Sequence, residues 1–427
     1  MNQAQPHKPS VPTAEAPGST HARPLLAVLL IVACNSLGTG AVMNGIFFLA
    51  RSRHGFNEQQ NLLLGLVLGA TYILGATGVG PLIRRLTRTS RCSPRAALVW
   101  IHIAMGLLCF VPYGIEQAWG IWVFAITYSP LTGALWPIVE SYLSGGRRGR
   151  DLRHAVGSFN LVWASSVIVS YWAMSIVLRE QPPRWLSSFG LSGNPMIVIT
   201  ALGAIHVLTI AAVLRLQSAP SRHLTDEHEP HPPVYTDLLR ATRWLLVLSY
   251  ILVCALNPIL PTRLESLHVD AEAGVRIASA WAVSRLALFL LMQRWHGWHG
   301  RWRTTIWAGA ALAGGFALTV LASSVGVLIT GLALFGVGVG GIYCAALYYA
   351  MEVGAAEVEA GGKHEALIGL GYTAGPFIGL APWLAHGGGF LSEPQIAPMI
   401  VALAVVAGGV TLVGALWPLR SSQRRSA

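Results

Sequence analysis

Charge is the scarcest feature of this sequence. Only 11% of its 427 residues are Asp, Glu, Lys or Arg, where a soluble domain carries roughly a quarter. So little charge excludes a surface bathed wholly in water and requires that much of it face lipid. Acids are the rarer sign, 18 against 29 bases. In a soluble protein that excess would suggest nucleic acid, but here the bases collect between apolar runs, as on cytoplasmic loops of membrane proteins. Cysteine is sparse as well. Cys34, Cys92, Cys109, Cys254 and Cys344 show neither a disulfide framework nor zinc-ligand spacing. Alternating apolar and polar segments are missing, which excludes a transmembrane barrel. No phosphate-binding Walker loop or nucleophile–base motif is present, so neither ATP-driven transport within this chain nor enzyme chemistry is expected, and no cofactor or metal.

What is present is hydrophobicity, 53% of residues with a mean hydropathy of +0.55. It falls into twelve runs, near the roughly 20 residues that span a bilayer. The expected class is an all-α membrane protein with two six-helix bundles, 25–216 and 243–419. Residues 1–24, rich in Pro, Ala, Ser and Thr, read as a disordered tail. Residues 217–242, with His223-Leu224-Thr225-Asp226-Glu227-His228-Glu229-Pro230-His231, read as a linker, and 420–427 as a second tail. Arg84, Arg85, Arg88, Arg91 and Arg95 lie between the second and third runs, and Arg147, Arg148, Arg150 and Arg153 between the fourth and fifth. The alternate segments hold only Arg51, Arg53, Arg179, Arg184 and Arg263. That asymmetry places both termini in the cytoplasm.

The two halves echo one another. The fourth run ends in Glu140, followed by a basic turn and His154; the tenth ends in Glu352, followed by a polar turn and His364. Carboxylate, turn and histidine at matching places is what a duplicated six-helix unit leaves behind.

With this topology the chain resembles the major facilitator superfamily from Leu25 to Arg420. Gly80-Pro81-Leu82-Ile83-Arg84-Arg85 is similar to that family's basic loop after the second helix, with Arg84 where an aspartate is usual. Glu140 and Arg147 are spaced like the acid–arginine pair that ends the fourth helix of its sugar porters, without the other sugar-porter signatures. Gly371-Tyr372-Thr373-Ala374-Gly375-Pro376-Phe377-Ile378-Gly379 resembles the glycine–proline motif of its drug antiporters, displaced from the fifth helix to the eleventh. The resemblance implies a monomeric secondary transporter of the cell inner membrane, a symporter or antiporter carrying a small solute by alternating access and coupled to an ion, a proton being the leading choice. A sensor or assembly protein that kept the transporter fold is the alternative.

Arg285 is the sharpest candidate for solute binding. A mid-membrane arginine costs about 2.5–3.5 kcal/mol on insertion scales, so it must face protein or a cavity, as a solute anchor or in a structural pair. Other candidates lining a central cavity are Asn35, Thr39, Tyr128, Asn160, Trp163, Tyr250, Asn257, Trp281, Tyr343 and Tyr372. Each serves equally as a hydrogen-bonding or packing group between helices. Glu140 and Glu352 sit at helix ends where the dipole disfavours acid. Three readings apply: a gating cluster with Arg147, Arg148 or Arg153, a proton-coupling carboxylate, or a solvated interfacial acid. Glu365 is expected near water at the start of its helix. His102 and His206 are expected to be structural, and the glycine run Gly336–Gly341 to serve close helix packing.

Overall fold

The computed structural model describes residues 25–89, 92–147, 149–181, 194–221, 232–353 and 358–423. The N-terminal tail, Arg148 and the histidine-rich stretch of the linker lie outside the described residues.

Among the described residues twelve helical segments follow in chain order, and no strand occurs. The first, α1, is Leu25–Gly38 continued through Thr39–Asn44 and Ile46–His54. Then come α2 (Glu58–Arg88), α3 (Pro94–Leu108, with a short turn Val111–Gly114), α4 (Trp119–Ser144), α5 (Gly149–Val177) and α6 (Ile197–Val213). The second half comprises α7 (Pro233–Ser266), α8 (Ala271–Ala278 and Ala280–Arg294), α9 (Trp302–Val320), α10 (Val325–Val353), α11 (Val358–Gly387) and α12 (Ile396–Gln423). Ten are long and apolar enough to cross a bilayer; α6 and α9 are the shorter two. The chain is an integral membrane protein.

Helix boundaries are set by local chemistry. Asn57 and Gln60 cap α2 reciprocally, each side chain accepting from the other's backbone N–H at 2.8–2.9 Å, which satisfies donors that a helix start leaves open. Ser93 and Asp270 each accept from the backbone at the start of α3 and α8. Gly55, at φ +66°, closes α1 in the left-handed conformation that suits glycine. The structure moves some boundaries. Helix α7 begins at Pro233, inside the expected linker, α12 runs to Gln423, inside the expected tail, and α11 begins well before Glu365.

Inside α1, Thr39–Asn44 forms a π-helical segment. Within it Asn44 Nδ2 donates to the Thr39 carbonyl at 3.0 Å. The Asn44 side-chain oxygen accepts from Asn257 of α7 at 2.7 Å, which ties the two halves together.

The halves meet mainly through α2 against α11, α5 against α8, and α4 against α11. The start of α1 and the end of α12 share one face, here the terminal face, with the ends of α2, α4, α6, α8 and α10; the opposite helix ends make the far face. Glycine permits the closest contacts. A Cβ at Gly69 would collide with the backbone of Tyr372, and one at Gly371 or Gly375 with α7 around Tyr250 to Ala255. The glycines of the Gly371–Gly379 motif therefore seat α11 against α7 and α2. The run Gly336–Gly341 seats α10 between α8 and α9 in the same way, as the sequence led one to expect.

Candidate functional site: an arginine cage beside a buried carboxylate pair

Arg285 lies in the middle of α8 and is 1% exposed. Its stem rests against Gly340 of α10, with Cγ 3.1 Å from where a Cβ would stand. The guanidinium carbon is 4.2 Å from the ring centre of Trp163 (α5), 4.6 Å from Tyr343 (α10) and 5.2 Å from Phe289 (α8). Trp163 and Tyr343 come from opposite halves and stack within 18° of parallel at 6.2 Å. No carboxylate within 4 Å pairs with Arg285 among the described residues, and its Nε and Nη2 have no hydrogen-bond partner. Magnitudes show what this leaves undone. Each cation–π contact is worth about 0.5–2 kcal/mol, so the aromatic faces offset most of the cost of burying the charge. An unpaired buried donor costs a further 1–3 kcal/mol or so, and nothing in the cage offsets that.

From the cage an aromatic row crosses the interior. Tyr343 meets Tyr250 at 6.4 Å, Tyr250 meets Tyr372 at 5.4 Å, and Tyr372 meets Tyr72 at 5.1 Å. The row ends at a carboxylate: Tyr72 OH donates to Glu365. Around Glu365 the ligand atoms of Glu140, His364 and Glu365 all lie within 4.8 Å of one another. All three are buried, and Glu140 Oε1 and His364 Nε2 have no partner. Two carboxylates this close and this dry cannot both hold a negative charge unless a proton or a cation sits with them. Two carboxylates and an imidazole are also a donor set that a divalent cation accepts, which the sequence did not suggest.

Glu365 corrects a sequence expectation. It is not a solvated helix starter; it is 4% exposed, and α11 begins at Val358. The expected pairing of Glu140 with Arg147 is absent as well. Arg147 Nη1 donates to the carbonyls of Tyr142 and Leu143 at the end of α4, while Glu140 faces α11. Arg153 and Glu352 do meet, at 3.3 Å, joining α5 to α10 on the terminal face. A crevice of about 70 Å³ runs inward from this pair past Asn160 and Cys344 to Phe289. On the far face Arg51 pairs with Glu265, and Arg179 Nε with Glu272 at 2.9 Å. These pairs cross a vestibule of about 910 Å³. Trp383 of α11 also donates to Glu58 of α2 at 2.7 Å. The halves are thus bridged on both faces of the cage, and its residues are all less than a tenth exposed.

On the terminal face, His299 stacks on Tyr348 at 4.4 Å and 5°. Burial, with His296 and Arg153 alongside, pushes its imidazole down to about 4.

The structure gathers Arg285, Trp163, Tyr343, Tyr250 and Tyr372 into one centre, and Asn160 lines the crevice that leads to it. Other candidates are engaged elsewhere. Asn35 bonds His102 at 3.1 Å, and Tyr128 bonds His206 at 2.9 Å. The two histidine rings meet at 5.6 Å, which makes a polar knot joining α1, α3, α4 and α6. Thr39 donates to the Asn35 carbonyl, Asn257 holds Asn44, and the Trp281 indole lies 3.4 Å from Tyr171 OH across the halves. Sequence reasoning missed Tyr72, Phe289 and the importance of Glu365 and His364.

The arrangement shares its fold with solved transporters. A point mutant of the nucleoside transporter NupG superposes with a TM-score of 0.63 at 12% identity, over 91% of this chain and 99% of that one. A bacterial homologue of the human lysosomal transporter Spinster, inward-facing and unoccupied, gives 0.62 at 14% identity over 93% and 98%. No family model and no curated protein matches the sequence.

Proposed function

We propose that this protein is a secondary transporter that carries a small organic anion across the cell inner membrane by alternating access, with both termini in the cytoplasm. The observation that carries the reading is Arg285, a buried cation between two halves, held by aromatic rings and left with two free donors. An arriving anion satisfies those donors and the charge together. The ion pairs on either side act as gates: Arg153–Glu352 opens the site to the cytoplasm, and Arg51–Glu265 with Arg179–Glu272 opens it to the other side. Exposed pairs of this kind are worth about 0–1 kcal/mol each, weak enough to break and re-form in each cycle. Glu140 and Glu365 carry the coupling proton, since a solute that brings negative charge to Arg285 is balanced by a second proton on the pair.

Uptake into proteoliposomes under an imposed pH gradient tests this, with labelled organic anions, cations and neutral solutes offered side by side. The reading expects saturable, gradient-driven accumulation of at least one anion. Accumulation confined to cations or neutral solutes contradicts it.

A further inference from the structure

The carboxylate pair has a third member, His364, to which the transport cycle gives no part. Glu140, His364 and Glu365 are each at least nine-tenths buried, and their ligand atoms lie within 4.8 Å of one another. Among the described residues no arginine or lysine forms an ion pair with either carboxylate. Glu140 Oε1 and His364 Nε2 have no hydrogen-bond partner. A divalent cation satisfies both charge and donors, because two carboxylates and a neutral imidazole around it leave no net charge. The imidazole and the small number of donors set its class. Mg²⁺ and Ca²⁺ take about six or more oxygens, whereas zinc-like ions accept nitrogen and oxygen together at about four positions. Four-coordinate zinc with bonds of about 2.0–2.2 Å places its ligands about 3.4 Å apart, so the three atoms draw in by roughly an ångström. The surroundings hold them ready. Tyr72 OH donates to Glu365, as outer-shell partners of ligating carboxylates do, and Tyr343 meets the His364 ring edge-on at 6.2 Å. Glu140 lies about one turn before the end of α4 on the terminal face, which gives an ion a short path from water.

We infer that Glu140, His364 and Glu365 form a binding site for a zinc-like divalent metal ion, which joins α4 of the first half to α11 of the second. The ion takes the place of the proton that the pair otherwise holds. The site stands whether or not the solute is an anion.

The test is equilibrium titration of Zn²⁺ and Mg²⁺ into the purified, tag-free, full-length protein after treatment with chelator. Zn²⁺ should bind saturably and raise the unfolding temperature, and excess Mg²⁺ should not displace it. Glu140→Gln and His364→Gln should each weaken binding about tenfold or more. The His223→Asn, His228→Asn, His231→Asn triple variant, altered only in the linker, should keep it. His364→Cys supplies another zinc ligand. Loaded with Co²⁺, it should gain a thiolate-to-cobalt charge-transfer band that the parent lacks. No Zn²⁺ binding, binding that survives both Glu140→Gln and His364→Gln, or binding lost with the linker histidines overturns the site. So does a folded His364→Cys protein without the cobalt band.

Discussion

A single arginine and a single glutamate show how differently side chains announce themselves. Arg285 was legible in the sequence because a charge inside an apolar run has few tolerable explanations. Glu365 was not, because its burial is made by α2 and α4, which come from the other half of the chain. Nothing local to Lys363-His364-Glu365-Ala366 signals that Tyr72 and Glu140 will close over it. The residue-scale prediction follows from that contact. Glu140→Gln and Glu365→Gln each remove one ionisable carboxyl while keeping its shape. Solute accumulation against a gradient should be lost, whereas counterflow exchange, which needs no net proton movement, should continue. Loss of both would assign the pair to gating or folding.

Among helices, the repeat noticed in the sequence turns out to be crossed. The acid ending α4 meets the histidine region opening α11, and the acid ending α10 meets Arg153 near the start of α5. The motif marks equivalent places in each half without naming their partners. The structure uses the matching positions to join the halves, one as a dry carboxylate pair and one as a half-exposed ion pair. His154, the counterpart of His364, is left exposed. Glycine packing gives a prediction on the same scale. Gly371→Val drives side-chain atoms into α7 at Tyr250 and Ile251, and overpacking of this kind costs about 1–3 kcal/mol. Gly78→Ala meets nothing within 4 Å and gains up to about 1 kcal/mol of helix propensity. Thermal unfolding in detergent should therefore fall for the first and hold or rise for the second.

The turn between α8 and α9 adds a pH dependence. His299 is held near 4 in the fold and returns to about 6.5 when unfolded. Between those values the unfolded chain binds the extra proton, so acidification weakens the fold, with the contribution complete above 6.5 and lost as pH falls toward 4. His299→Phe, which keeps the stack on Tyr348, should lose less thermal stability than the parent between pH 7 and pH 4.5. An identical slope in both proteins would remove His299 from the account.

At the level of the whole molecule, the all-helical membrane architecture was readable from hydropathy, because the bilayer imposes it. Which polar residues share a cavity was not, since that depends on helix rotation. Asn35 and Tyr128 point to a peripheral knot, while Trp163 and Tyr250 point to the centre. In the proposed cycle the two halves close over one Arg285 cage and open it to one face at a time. The most direct test is a pair of spin-label distances in lipid nanodiscs, with the five native cysteines replaced. One label pair at Thr89 and Arg301 reads the terminal face, and one at Gln117 and Glu393 reads the far face. Arg153→Ala should add a longer population to the terminal pair alone, and Arg51→Ala with Arg179→Ala should add one to the far pair alone. Lengthening of both pairs together, or of neither in either variant, would contradict the account.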